Sequence, residues 1–343
     1  MRAMLVRDIG EFPLIDRLAR AIVGENAALI QRLDDDGFRT LLTIGDDAAA
    51  WDGPPGVRVL TTDTMVEGVH FSFDYTGWRD LGWKSLASNL SDVAAMGCRP
   101  TYSIVTLGLR DDLPVEGLLD MYRGIMDVAR LHGGAIVGGD IVKSPVFFVT
   151  VALEGAAPSP ETGLLRRDAA KPGDLIAVTG HLGCSGGGLR MMMTGTDIPD
   201  ATASKHLRDA HNRPVPRVKA GLLMAERGVL SAMDVSDGLI IDLAKMCSAG
   251  NVGARLNAGS IPADDVLKAA FPDDWLSLAL GGGEDYELLF TAPADVIEGL
   301  RPALDVPITV IGEVVGGDGS VEVLDDDGNP VVVQRRGWDH FKN

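Results

Sequence analysis

Short acidic clusters punctuate the chain, each beside a predicted regular element. Gly45-Asp46-Asp47-Ala48 follows the apolar run Leu41 to Ile44, and Thr61-Thr62-Asp63-Thr64 closes a predicted strand that starts at Val57. Gly138-Gly139-Asp140 follows a predicted strand from Ala135 to Val137. Asp234-Val235-Ser236-Asp237-Gly238 precedes a helical pattern, and Gly282-Gly283-Glu284-Asp285 precedes a strand. Hard cations such as magnesium take oxygen ligands, commonly one or two carboxylates each together with water and phosphate oxygens. Asp beside Gly also forms turns and helix caps, and any one cluster alone is open to that reading. Several clusters in the same kind of position point instead to a multi-carboxylate metal site. The runs Asp34 to Asp36, Asp111-Asp112, Asp273-Asp274 and Asp325 to Asp327 lack such a context and read as solvated loop charge.

The helix predicted over 79–96 sharpens this reading. Trp83, Leu86, Ala87, Leu90, Val93 and Ala94 make one apolar face. Ser85, Ser88, Asn89 and Asp92 follow the same spacing and form a separate polar stripe, suited to coordination or hydrogen bonding. Asn89-Leu90-Ser91-Asp92 and Asp234-Val235-Ser236-Asp237 share an x-x-Ser-Asp echo, which leaves duplicated half-sites or coincidence open.

Other chemistries lack their residues. There is no Gly-x4-Gly-Lys-[Ser/Thr] loop, no Gly-x-Gly-x-x-Gly opening a helix after a strand, and no Gly-x-Ser-x-Gly elbow. Gly186-Gly187-Gly188 is equally a flexible helix entry or a phosphate cradle. The six histidines show no paired ligand spacing, and His70 is the one near a cluster. Cys184, among glycines and without a paired base, reads as a packing residue. Many carboxylates without a nucleophile suit transfer of a phosphoryl group between phosphates, where positioning and charge neutralisation do most of the work.

The composition agrees. Lys and Arg number 31 against 49 Asp and Glu, a formal charge of −18. That balance argues against a nucleic-acid binder, which needs a basic face, and against an anionic membrane surface. The three cysteines, Cys98, Cys184 and Cys247, are too few and too widely spaced for a disulfide framework. No apolar run approaches the ~18 residues of a membrane span, and the N-terminus lacks the apolar stretch of a signal peptide, so a cytoplasmic protein is expected.

These residues must be positioned by alternating strands and helices, an α/β or α+β chain. Amphipathic helices are predicted over 12–33 and 115–132, with strands over 102–109 and 146–153. A linker is expected at Gly155 to Pro160, separating domains at 1–157 and 158–343; at 343 residues two domains are the expectation. After it, strands are predicted over 175–179, 286–291 and 308–314, helices over 182–193, 217–227 and 239–248, and a hairpin of Val321 to Leu324 with Val331 to Gln334.

Taken together, the motifs from Gly10-Glu11-Phe12 through Ile44-Gly45-Asp46-Asp47-Ala48, Thr62-Asp63-Thr64, Gly68-Val69-His70-Phe71, Asn89 to Gly97, Gly138-Gly139-Asp140, Lys171-Pro172-Gly173-Asp174, Asp234 to Leu239 and Gly282 to Glu287, to Gly337-Trp338-Asp339-His340-Phe341, cover nearly the whole chain. In them the chain resembles the thiamine-monophosphate kinase family. That family's superfamily includes aminoimidazole-ribonucleotide synthetase, selenophosphate synthetase and the hydrogenase-maturation dehydratase. The resemblance implies an N-terminal domain that binds ATP and metal and pairs with its twin into a barrel across a homodimer. It also implies a larger C-terminal α/β domain completing the ATP and substrate site. It implies ATP in a cleft, several magnesium ions, and thiamine monophosphate as acceptor. Carried over by motif, the metal ligands are Asp47, Thr61, Thr62, Asp63, Asp92, Asp140, Asp234 and Asp237. The ATP contacts are Tyr122, Gly139, Asp140, Arg167 and Ser236, and the thiamine-phosphate contacts are His70, Glu284 and Trp338. Met65 and Glu67 vary the stretch after Asp63. The relatives separate by residues: selenophosphate synthetase uses a reactive Cys or selenocysteine near its N-terminus, whereas the first cysteine here is Cys98, and the maturation protein uses a C-terminal Cys, whereas this chain ends His340-Phe341-Lys342-Asn343.

Overall fold

The structure is a computed structural model that describes residues 3–333 and Gly337. It divides into two compact units, residues 1–93 with 99–160, and residues 94–98 with 161–343. Both mix helices and sheet. No helix among the described residues is long and apolar enough to cross a membrane.

The first unit contains α1 (Val6–Ile9), α2 (Glu11–Asp35), β1 (Arg39–Leu42), β2 (Ala50–Asp52), β3 (Arg58–Val66), α3 (Trp78–Ala95), β4 (Arg99–Leu109), α4 (Val115–His132), β5 (Ala135–Lys143) and β6 (Phe148–Ala156). Its four-stranded sheet runs β3-β6-β4-β5, antiparallel except for β4 beside β5. One face is core: Leu153, Val151 and Val105 are fully buried. The other carries Leu60, 78 % exposed, and Ile104, 46 % exposed. An edge strand offers unpaired backbone groups, and α2 meets part of that need at β5. The buried Asn26 takes the Ile136 N–H at 3.2 Å and donates to the Ile136 carbonyl.

Two predicted strands prove longer than the apolar pattern suggested. β3 continues to Val66 and β5 to Lys143, so Asp63 and Asp140 lie within strands rather than after them. Their polar residues stand on or beside an exposed sheet face, where alternation does not need apolar side chains. β6 runs to Ala156, so the predicted linker begins as strand. α3 and α4 cross through glycine. A Cβ on Gly82 would sit 1.8 Å from the Met121 carbonyl oxygen, and one on Gly124 would sit 1.9 Å from that of Arg79.

The second unit contains β7 (Leu175–Thr179), α5 (Cys184–Thr194), α6 (Ala201–Asn212), α7 (Val218–Glu226), β8 (Ser231–Asp234), α8 (Leu239–Gly250), β9 (Gly253–Asn257), α9 (Asp265–Ala270), α10 (Trp275–Gly281), β10 (Leu288–Ala292), α11 (Ala294–Leu300), β11 (Ile308–Val315) and β12 (Val321–Leu324). Its sheet order is β12-β9-β11-β7-β10-β8, antiparallel except for β12 on β9. Ile176, Val178, Leu243, Met246, Leu289 and Ile311 belong to its core. Of the predicted C-terminal hairpin only the first arm is a strand, β12; the chain turns back so that Val331 N–H donates to the Val323 carbonyl at 2.8 Å, but residues 331–333 form no strand, and Gln334 lies outside the described residues.

The glycine crossing yields a stability test. Gly82→Ala should lower the urea midpoint by an amount equivalent to roughly 1–3 kcal/mol, because backbone on both helices must move. An unchanged midpoint would mean that the helices are not held at this distance.

Candidate active site

In the first unit, α3 delivers Asp92 to the middle of β3. Thr61 Oγ1 donates to Asp92 Oδ2 at 2.5 Å. Cross-strand register sets which neighbours can join them. Asp63 pairs with Val151, Val151 with Val105, and Val105 with Gly139, a row on the core face that Thr61 shares two residues away. Residues two apart on a strand are roughly 7 Å apart, so Asp63 stands on the same strand face, one repeat from the Thr61–Asp92 pair.

The other assigned ligands do not all share this face. Thr62 lies in the row Thr62-Ala152-Ile104-Gly138, and Asp140 in the row Thr64-Thr150-Thr106-Asp140, both on the outer face. Three strand spacings of ~4.8 Å, about 14 Å in all, separate β3 from β5. Thr62 Oγ1 donates to the Val151 carbonyl at 3.0 Å, and Asp140 accepts its neighbour's Ile141 N–H at 2.9 Å. Asp47 is exposed between β1 and β2, its N–H donating to Asp46 at 2.8 Å. Gly139 cannot carry a side chain, since a Cβ would meet the Val105 carbonyl oxygen at 2.1 Å. Tyr122 is buried on α4, and burial raises its hydroxyl pKa.

The polar stripe on α3 is not a solvated face. Ser85, Ser88 and Asn89 are buried, and their side chains bond back to α3: Ser85 to the Gly82 carbonyl at 3.0 Å, Asn89 to the Ser85 carbonyl at 3.0 Å. Asn89 Oδ1, one turn before Asp92, has no hydrogen-bond partner among the described residues. A buried acceptor left unmet costs about 1–3 kcal/mol, so this atom marks a place where a ligand group is wanted.

His70 closes a tight loop after β3. Its Nδ1 accepts the Val66 N–H at 3.1 Å, which makes Nε2 the protonated nitrogen of the neutral ring. Of the two departures after Asp63, Met65 is buried and Glu67 pairs with Arg110.

In the second unit, the loop after β8 carries Ser236 and Asp237, with Asp234 buried at the strand end. Asp242, fully buried in α8, organises this loop. Its Oδ2 accepts the N–H groups of Ser236, Asp237 and Gly238 at 3.0, 2.9 and 3.2 Å. Its Oδ1 accepts Lys245 Nζ at 2.8 Å, and the same ammonium reaches Asp237 at 2.5 Å. Burial pushes the Asp242 carboxyl up, against the pull of Lys245. The x-x-Ser-Asp echo therefore has two unlike settings: Ser91-Asp92 is helical, while Ser236-Asp237 is a loop between strand and helix.

The segment after α10 lies against that loop. Gly283 has φ 73°, and a Cβ there would meet the Ser236 carbonyl oxygen at 2.9 Å. Glu284 and Tyr286 hold φ of 56° and 52°, left-handed values that cost non-glycine residues energy and persist where the surroundings impose them. Here the Glu284 N–H donates to the Ser236 carbonyl at 2.7 Å, and that of Tyr286 to Val235 at 2.9 Å. Glu284 Oε2 lies 3.5 Å from His211 Nδ1, which is 3.1 Å from Ser185 Oγ. Glu287, buried, takes Arg217 Nε and Thr179 Oγ1 at 2.6 Å each. Arg167 opens an exposed 3-10 turn, beside the Arg166–Asp168 pair. Trp338 lies outside the described residues.

Gly186-Gly187-Gly188 are packing glycines. A Cβ on Gly188 would meet the Leu207 carbonyl oxygen at 2.0 Å, and one on Gly187 the Leu267 side chain at 2.6 Å. Asp242, Lys245, Arg217 and Glu287 were not singled out from the sequence. An acid in the first turn of a predicted helix, followed at i+3 by Lys, could have flagged the first two; the Arg217–Glu287 pair spans 70 positions and has no local signature.

Known proteins match this chain throughout. Residues 45–157 fit the family model described as AIR synthase related protein, N-terminal domain, and residues 171–325 the corresponding C-terminal domain. The thiamine-monophosphate kinase of Escherichia coli (strain K12) is 36 % identical over 341 residues, 97 % of this chain and 98 % of that one. The chain belongs to the thiamine-monophosphate kinase family. A crystal structure of that kinase from Stenotrophomonas maltophilia K279a is 36 % identical, covers 96 % of this chain and 99 % of its own, and has a TM-score of 0.79. A structure of AaThiL complexed with AMPPCP and TMP covers 99 % and 100 % at 30 % identity, with a TM-score of 0.74.

Asp285 supplies a pH test of this framework. It accepts the N–H groups of Gly183 and Ser185 at 2.8 and 3.3 Å, yet burial, assisted by Glu287 and Glu284, pushes its carboxyl up to about 8. Between its ordinary value near about 4 and that value, the folded chain keeps a proton the unfolded chain releases. Stability in the absence of ligands should therefore fall as pH rises across this window, and Asp285→Asn should flatten the fall. Parallel slopes for both proteins, read from urea midpoints between pH 5 and 8, would contradict this assignment.

Proposed function

We infer that this chain transfers the γ-phosphoryl group of ATP to thiamine monophosphate, giving thiamine diphosphate and ADP. The observation that carries the reading is the Thr61–Asp92 hydrogen bond with Asp63 on the same strand face, oxygen donors only, in a chain similar over nearly its full length to kinases named for this reaction. The thiols do not offer a competing nucleophile: Cys98 and Cys247 are pushed up to about 11 by burial, and Cys184 to about 12.

Magnesium fits the donors present. They are carboxylates and hydroxyls, and Asn89 Oδ1 is an unmet buried acceptor beside them. Asp47, Thr61, Thr62, Asp63, Asp92 and Asp140 in the first unit, and Asp234 and Asp237 in the second, would hold several ions. Bound magnesium supplies neutralisation of phosphate charge. For ATP we assign Tyr122, Gly139, Asp140, Arg167 and Ser236, with Arg167 offering a planar fork to a phosphate. For thiamine monophosphate we assign His70, Glu284 and Trp338; the His70 tautomer suits donation from Nε2 to a phosphate oxygen.

The acceptor is a phosphate monoester whose second pKa is about 6, so at neutral pH its oxygen is already largely anionic. No side chain need remove a proton, and the chain's work is to orient donor and acceptor in line. We further assign the protein to the cytoplasm, as a homodimer. The outer face of the first sheet supports the dimer: Leu60 on β3, Ile104 on β4 and Val142 on β5 are all exposed on one face, which a second copy would cover to form a barrel.

Incubation with ATP, magnesium and thiamine monophosphate should give thiamine diphosphate and ADP in equal amounts by chromatography; absence of thiamine diphosphate would refute the reading. Asp92→Asn keeps an acceptor for Thr61 but removes a charge. It should cut turnover by about 10²-fold or more while leaving the metal-free fold intact, since electrostatic stabilisation is commonly the leading contribution to such transfers. Near-wild-type turnover at saturating magnesium would reduce Asp92 to a structural partner of Thr61.

A further inference from the structure

The second unit holds a group of side chains that the kinase reading does not use. Cys184 is the first residue of α5, His206 lies on α6, and Asp264 caps α9. Cys184 Sγ is 3.9 Å from His206 Nε2, and Asp264 Oδ2 is 3.5 Å from the same nitrogen. One ligand atom from each of the three lies within 4.8 Å of the others. We propose that Cys184, His206 and Asp264 form a zinc site.

The spacing fits. With Zn–S about 2.3 Å and Zn–N or Zn–O about 2.0–2.1 Å, tetrahedral geometry puts sulfur and nitrogen roughly 3.6 Å apart, and nitrogen and oxygen roughly 3.3 Å apart. The two separations to His206 Nε2 need to close by only a few tenths of an ångström, and Cys184 Sγ and an Asp264 carboxylate oxygen, which lie within 4.8 Å of each other, would draw in toward roughly 3.5 Å. Donor chemistry separates this site from the magnesium carboxylates. A thiolate with an imidazole favours zinc-like cations, whereas magnesium takes oxygen.

The scaffold is built to hold the three residues. Gly188 brings α5 against the Leu207 carbonyl of α6, next to His206, and Gly187 brings it against Leu267 of α9. Asp264 Oδ1 is fixed by the Val266 N–H at 2.7 Å, which leaves Oδ2 turned toward His206. Cys184 is buried and His206 half-exposed, so the fourth position opens on the imidazole side, where water can complete the shell. Burial and the charges of Asp285 and Asp264 hold the Cys184 thiol protonated without a cation. Zinc binding therefore replaces the thiol proton, which leaves to solvent. The clamp ties three helices together at the turn where Gly183 and Ser185 hold Asp285.

Cobalt(II) titration of the full-length chain, in excess magnesium to fill the carboxylate sites, tests this. The expected result is a thiolate-to-cobalt charge-transfer band that saturates at one equivalent and is displaced by zinc. Cys184→Ser should abolish the band, while Cys98→Ser and Cys247→Ser keep it. His206→Asn, at a half-exposed position that leaves the core untouched, should weaken binding by at least the roughly 10- to 100-fold that losing an outer-shell partner costs. Zinc should raise the melting temperature of the wild type and not of Cys184→Ser. A wild type without the band, a band that survives Cys184→Ser, or unaltered affinity in a folded His206→Asn would overturn the proposal.

Discussion

A short hydrogen bond joins the last turn of α3 to the middle of β3. Thr61 Oγ1 donates to Asp92 Oδ2, and through it the helix and the strand hold their polar groups in common. Carboxylates gathered for a cation repel one another until the cation arrives, so the fold must hold them with donors of its own. Thr61 is such a donor. It is neutral, and it satisfies one carboxylate oxygen without adding charge. The Gly82 and Gly124 crossing sets how closely α3 lies on α4, and hence where Asp92 falls relative to the strand.

The second unit meets the same constraint differently. There a full cation, Lys245, lies between Asp237 and Asp242, and Asp242 spends its remaining oxygen on three backbone N–H groups. The loop is therefore shaped by a carboxylate that is itself buried and not offered to ligand. Opposite it, Glu284 and Tyr286 are forced into left-handed backbone by hydrogen bonds to Ser236 and Val235. Strain of this kind persists where the surroundings over-determine the backbone, and here it orients Glu284 toward His211.

Much of the framework was legible because it follows simple periods. The helix predicted over 115–132 coincides with α4, whose apolar face is continuous, and the strand over 175–179 coincides with β7, apolar as far as Thr179. The polar ends of β3 and β5 were not legible. Thr62, Thr64 and Asp140 face outward, so their polarity resembles a loop although the ladder continues. α6 was missed for a related reason: its sequence is polar, with Leu207 its one fully buried apolar residue. The spacing places Asp92 in a polar stripe but does not reveal that the stripe is buried, because Ser85, Ser88 and the Asn89 amide nitrogen donate back to carbonyls of their own helix, while Asn89 Oδ1 stays unmet. The clustered glycines of α5 read equally as a cradle; only the neighbouring backbone shows that they are there to let helices touch.

The central claim is that this chain positions two phosphates for direct transfer and contributes no nucleophile of its own. The most direct measurement is the stereochemical course at phosphorus, using ATP made chiral at the γ-phosphorus with oxygen isotopes and sulfur. One in-line displacement inverts that centre, and inversion in the thiamine diphosphate product is the result expected. Net retention would require two displacements through a phosphorylated side chain, and would contradict the account.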